Sequence, residues 1–265
     1  MLRLFVFTLL LAGLPAGLPA RADTACAFAS RPHVLIEEGE AHARGSRLLQ
    51  MWEVADHPVL WSETAPQTGE YRRFREELAE RRVDTDPLRL LERSPTENNR
   101  IVIRNADRWI RPAGCLEMLM IGHQHGRLNT FDTPSEFASI ILRSPDGDRL
   151  RVYYYTINED GIGRMDPIVE PALEDRRQGW DLLVALHSHV FHPGQPAIDG
   201  ILAPSEPDAD FHLRLHAQSA VREAWITNGV RTVRMPASRF GDFRRPADDG
   251  TIGKPADQDQ GSKRD

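Results

Sequence analysis

The chain has 265 residues, with 39 acidic against 33 basic side chains and a formal net charge of -6. The balance leaves no basic surface for gripping phosphates, and no run of Arg and Lys interleaves with aromatics, so nucleic acid is excluded as an expected partner. The length suits one large domain, or one domain with an elaborated N-terminal region, and the second arrangement is expected.

Residues 1–22 read as a signal peptide: Arg3 precedes the apolar run LFVFTLLLAGL, and Ala20-Arg21-Ala22 supplies small residues at a cleavage site. The run is too short to cross roughly 30 Å of hydrocarbon, and no later stretch approaches spanning length, so no membrane anchor is expected. Asp23 stands where a lipoprotein signal before Cys26 would need an apolar residue. The expected location is periplasmic or secreted. Cys26 and Cys115 are the only cysteines, a count that permits one bridge in an oxidising compartment. Closing that loop would stabilise the chain by about 4 to 5 kcal/mol in the chain-entropy model. The alternative is two buried thiols, since sequence does not give their separation.

Residues 23–115 form an N-terminal segment that is irregular and mainly helical on this reading. A charged helix is expected over 69–83 and a shorter one over 86–93, with a brief strand over 100–104 (RIVIR). The following part, 116–240, is more regular. In 133–142 (TPSEFASIIL), Pro134 and Ser135 open a short helix or a helix-to-strand passage, and Pro145-Asp146-Gly147 is a turn. Strands are expected over 150–157 and 180–186, a helix over 208–223, and then a hairpin around Asn228-Gly229, a pair that suits a type I′ turn. From residue 241 to 265 almost nothing apolar remains, and disorder is expected.

The chemistry concentrates in 186–211. His187 and His189 end an apolar strand, and the two-residue strand period points both imidazoles to one face, where they make a metal-ligand pair. Zinc takes such donors at about 2.0 to 2.2 Å, and a catalytic site supplies three of them. The third is suggested by Ser205-Glu206-Pro207-Asp208. Alone, this S-x-x-D is a helix N-cap with an acidic residue three positions on. A carboxylate fixed in a first helical turn can still turn an oxygen to a metal, so the two readings are compatible.

This order of Glu, then His-Ser-His closing a strand, then Ser-x-x-Asp opening a helix resembles the JAMM (MPN-plus, JAB) zinc metallopeptidases over about 133–235. The resemblance implies an α/β domain with a mixed curved sheet and flanking helices. It makes His187, His189 and Asp208 the Zn2+ ligands, Ser205 the oxyanion partner and Glu136 the residue that handles the proton of the attacking water. Fifteen residues separate His189 from Ser205 where the family commonly has seven, and Val190 stands where it has Pro. That longer, Gly/Pro-rich loop is similar to a looser branch found at the ends of large bacterial toxin proteins. The implied activity is zinc-dependent hydrolysis of a peptide or isopeptide bond in a protein or peptide substrate. The rival reading is a catalytically silent binding module or secreted effector domain, against which stands the presence of all five chemistry-bearing residues. A structural zinc site would need a fourth ligand, with His192 the nearest in sequence.

The other histidines have plainer readings. His123 and His125 repeat the H-x-H spacing six positions after Glu117 without a following S-x-x-D, which suits a loop or structural role. His212 and His216 lie one helical turn apart, but Leu213 stands where a zincin would have Glu, so they read as surface or packing residues. Trp180 and Trp225 read as core aromatics.

Overall fold

In the computed structural model the described residues are 26–40, 42–67, 69–159, 161, 165–192 and 199–243. The expected signal peptide, residues 193–198 of the inserted loop before Ser205 and the tail from residue 244 lie outside them. Eight strands form one mixed sheet: β1 (His33–Glu38), β2 (Arg47–Ala55), β3 (Ile110–Pro112), β4 (Phe137–Arg143), β5 (Arg149–Thr156), β6 (Asp181–Ser188), β7 (Glu223–Thr227) and β8 (Arg231–Pro236). Their order is β1-β2-β5-β4-β6-β7-β8-β3. β6 and β7 run parallel, and the other neighbouring strands run antiparallel. The expected α/β class holds.

Central strands are apolar on both faces because helices cover both. Phe137 to Leu142 are all buried along β4, and side chains of alternate sign of pleat enter two separate cores. On one side Ala138, Ile140, Tyr153, Ala185, Ala224 and Val233 meet α3 (Glu97–Arg104), α6 (Asp166–Arg177) and α7 (Glu206–Ser219). On the other, Phe137, Ile141, Val152, Tyr154, Leu186 and Trp225 meet α1 (Gly69–Glu80) and α5 (Cys115–Arg127), and the short helices α2 (Pro87–Arg93) and α4 (Ala106–Trp109) flank α3 in the chain. Helices α1 and α5 approach closely at Gly122, where a Cβ would stand 2.9 Å from the Tyr71 backbone nitrogen.

Five expectations need correction. The segment 100–104 is not a strand: it belongs to α3, whose Thr96 cap accepts from Asn99 N–H and whose Ile101 and Val102 are buried. Capping and packing outweigh the β-propensity of an Ile-Val-Ile run. No helix opens at Pro134, because β4 begins directly at Phe137 between two antiparallel partners. The N-terminal segment is not merely an irregular helical prelude, since it supplies β1 and β2 at one edge of the sheet and β3 at the other. The β7–β8 hairpin is present, but of Asn228 and Gly229 only Gly229 has positive φ. Asn228 instead bonds through its side chain, Oδ1 accepting from the N–H of Val230 and Arg231 at 3.0 and 2.9 Å, so a type I′ turn is not formed. Finally, residues 241–243 are ordered within a 3-10 helix over Ala237–Phe243, held by the buried rings of Phe240 and Phe243.

Cys26 and Cys115 form the expected disulfide, with Cα atoms 5.6 Å apart, and it fastens the start of the described chain to the first residue of α5. His123 and His125 both lie on α5 in structural roles. His123 packs edge-on against Trp52 and Tyr154, and its Nε2 lies 2.7 Å from Gln50 Oε1. Burial, helped by the Arg127 charge, lowers its pKa to about 4. Because the unfolded chain titrates near 6.5, it binds a proton between pH 6.5 and 4 that the folded chain refuses. Stability is therefore full above pH 6.5 and is lost as pH falls towards 4, by on the order of 3 kcal/mol. Thermal melts at pH 7.5 and 4.5 are expected to differ less for His123→Gln than for the unaltered protein, and equal differences would remove the assignment.

Candidate metal centre

β6 carries His187, and the chain continues one more residue in extended form, with His189 N–H donating to Thr227 O at 2.8 Å. The strand period turns His187 to the same side as Ala185, the side of α7. The His187 and His189 rings lie 4.8 Å apart with their Nε2 atoms 3.1 Å from each other. Because β6 and β7 are parallel neighbours, the chain must cross over between them, and α7 is that crossover. Its N-terminus is thereby delivered to the carboxyl end of β6.

Ser205 caps α7 in a full capping box. Its Oγ accepts the Asp208 N–H at 3.3 Å, while Asp208 Oδ2 accepts the Ser205 N–H at 2.8 Å and the Ser205 hydroxyl at 2.6 Å. The same Oδ2 lies 3.5 Å from His187 Nε2 and 3.4 Å from His189 Nε2. The cap thus fixes the carboxylate with Oδ2 turned towards both imidazoles.

Whether these donors suit zinc is a question of geometry. Two ligands of a tetrahedral zinc with bonds near 2.05 Å stand about 3.3 Å apart. The observed edges of 3.1, 3.4 and 3.5 Å form nearly that triangle. Among the described residues, His187, His189 and Asp208 form a group able to hold a metal ion, and no fourth side chain joins it. The His189 ring is fixed from behind: its Nδ1 donates to Ile201 O at 2.5 Å, which turns Nε2 towards the other two groups.

Glu136 stands immediately before β4. β4 runs antiparallel to β6 with Ala138 opposite His187, so the start of one strand meets the end of the other. The Phe137 N–H donates to Ser188 Oγ at 3.0 Å and pins that junction. Glu136 lines the same cleft as the three donors, and its charge acts on His189.

The electrostatics favour positive charge at this point. Burial lowers the pKa of His189, but the Asp208 hydrogen bond and the Glu136 and Asp208 charges outweigh it and lift the group to about 9. Burial likewise opposes ionisation of Asp208, yet the two imidazoles hold its pKa well below the usual carboxylate range.

The remaining candidates separate cleanly. Glu117, the other glutamate upstream of an H-x-H, is buried on α5 and receives Arg234 Nη2 at 3.0 Å. Arg234 lies between Val233 and Met235, which face the α7 side, so this pair occupies the opposite face of the sheet. His212 is 2% exposed and packs between the His187 and Phe240 rings at 5.6 Å from each, the packing role expected of it. His216 Nδ1 bonds Val221 O at 2.9 Å. His192 stays on the loop, its N–H donating to Asp199 Oδ1 at 2.5 Å. Trp180 and Trp225 are buried as expected.

Two contributors carry no local signal in the sequence. Asn98 of α3 donates from Nδ2 to Pro204 O at 2.8 Å across 106 residues, steadying the cap. The Ile201 carbonyl acts through the backbone and has no residue-type signature. The donors open onto a cleft of about 1400 Å³ between α3, α6 and α7. No helix of the described residues is long and apolar enough to cross a membrane. Comparisons with protein-family models, curated proteins and solved structures found no match to this chain.

Proposed function

We propose that this chain is a zinc-dependent peptidase or isopeptidase of the JAMM type, working outside the cytoplasm. The observation that carries the reading is the triangle of His187 Nε2, His189 Nε2 and Asp208 Oδ2, with edges of a size that suits tetrahedral zinc and a carboxylate, Glu136, in the same cleft. A zinc ion in that position supplies Lewis acidity and makes water nucleophilic at a pH of about 7. The chain's own groups do the rest. Glu136 takes the proton of the attacking water and returns it to the leaving amine. Ser205 donates its hydroxyl to the developing oxyanion, exchanging its bond to Asp208 for one to substrate, a contribution of about 3 kcal/mol where such donors have been removed. The disulfide fits an oxidising compartment.

The test is the metal content of the purified protein, together with cleavage of a mixed peptide pool before and after chelation. About one zinc per chain and chelator-sensitive cleavage are expected. A chain that neither retains nor takes up zinc would overturn the proposal, and bound zinc without cleavage would favour a silent binding module.

A further inference from the structure

The cleft is longer than the metal-ligand group needs, and one helix runs along it. Asp208, Phe211, Arg214, Leu215 and Gln218 of α7 all line it, at the three- and four-residue spacing of a single helical face. That face is mixed in character, and its first residue past Asp208 is the aromatic Phe211. Phe211 and Leu215 are apolar, and Ile101 and Phe243 join them in the cleft lining. Arg214, which is exposed, stands one turn past Phe211 and directly before Leu215.

The cleft has three guanidinium groups among its described residues, and two are already neutralised. Arg104 is paired with Glu97 at 2.9 Å and Arg239 with Asp242 at 2.5 Å. Arg214 makes no hydrogen bond or ion pair among the described residues. A planar guanidinium of this kind matches a carboxylate through two parallel hydrogen bonds. Six residues of helix rise place Arg214 about 9 Å along the axis from Asp208. An extended peptide covers that distance in two to three residues, at about 3.3 Å each.

We infer that Arg214 is a substrate-anchoring residue, and that the cleft takes peptides with an apolar side chain near the bond cut and a carboxylate two or three residues away. The inference rests on the peptidase reading for what happens at the bond, but not for the binding itself. The carboxylate is either a chain terminus or an acidic side chain, the same chemistry for Arg214.

The test uses zinc-loaded Glu136→Gln protein, immobilised, so that binding is read without turnover. It is offered three mixed-sequence pentapeptide pools: free acids, the corresponding amides, and amides with Glu fixed at one position. Mass spectrometry counts the retained peptides. Peptides with a terminal or side-chain carboxylate are expected to exceed plain amides by about tenfold, as a charge-assisted pair implies. Which of the two pools is enriched tells the terminus from the side chain. Adding Arg214→Ala should bring the ratio to about one, and Arg214→Lys should restore part of it. Equal retention of all pools, or a ratio that Arg214→Ala leaves unchanged, would overturn the inference. Carboxylate-selective retention by a protein that cleaves nothing with Glu136 intact would leave this inference standing and remove only the peptidase reading.

Discussion

On the proposed zinc hydrolase chemistry, Glu136→Gln protein is expected to bind zinc as the unaltered chain does and to hydrolyse substrate about 10² to 10⁴ times more slowly. The two halves of that result have separate causes. Glutamine keeps the length and shape of glutamate, and Glu136 is not among the three converging donors, so metal stoichiometry should stay near that of the unaltered protein. An uncharged amide does not accept the proton of the attacking water, so the step that needs a base slows. The backbone around the position should hold, because the Glu136 N–H donates to Glu159 O at 3.0 Å and its carbonyl accepts Thr156 Oγ1 at 2.8 Å. Zinc stoichiometry and single-turnover hydrolysis measured on the same preparation separate the two effects. Wild-type turnover in the variant would show that Glu136 is not the base. Glu117 is then a poor substitute, because it is buried against Arg234 on the other face of the sheet.

Asp208→Asn is expected to show the converse, a folded protein with greatly weakened zinc binding. The amide oxygen still accepts the Ser205 N–H, so the cap on α7 survives and stability should change by less than about 1 kcal/mol. The charge that complements the cation is gone. Loss of even an outer partner of a metal ligand weakens binding by about 10- to 100-fold, and a direct ligand should exceed that range. Competition with a chelator of known affinity gives the change, and a thermal melt of the metal-free protein checks the fold. Ser205→Ala supplies the contrast: it removes the cap, at about 1 kcal/mol, while all three donors remain. If Asp208→Asn binds zinc as tightly as the unaltered chain, Asp208 is a helix cap and nothing more.

The sequence by itself determined what depends on neighbours along the chain. The two-residue strand period set His187 and His189 on one face, and S-x-x-D set both the start of α7 and the direction of the Asp208 carboxylate. Apolar runs located β5, β6 and the β7–β8 pair to within a residue or two, and an even pair of cysteines indicated the bridge. Only the tertiary structure decided what depends on register and crossover. Nothing local in 100–104 distinguishes a β-branched helix from a strand until Ile101 and Val102 find a core on the α7 side of the sheet. Glu136 shares a cleft with His187, His189 and Asp208 because Ala138 pairs with His187 across an antiparallel register, a relation between residues about fifty apart. The Asn98 clamp on Pro204 and the placement of β1, β2 and β3 at the sheet edges are of the same kind. Periodicity and capping arise from interactions within one or two turns of chain, which a sequence displays directly. Strand order and register are fixed by burial shared among distant segments, and the individual segments do not record which partners they will meet.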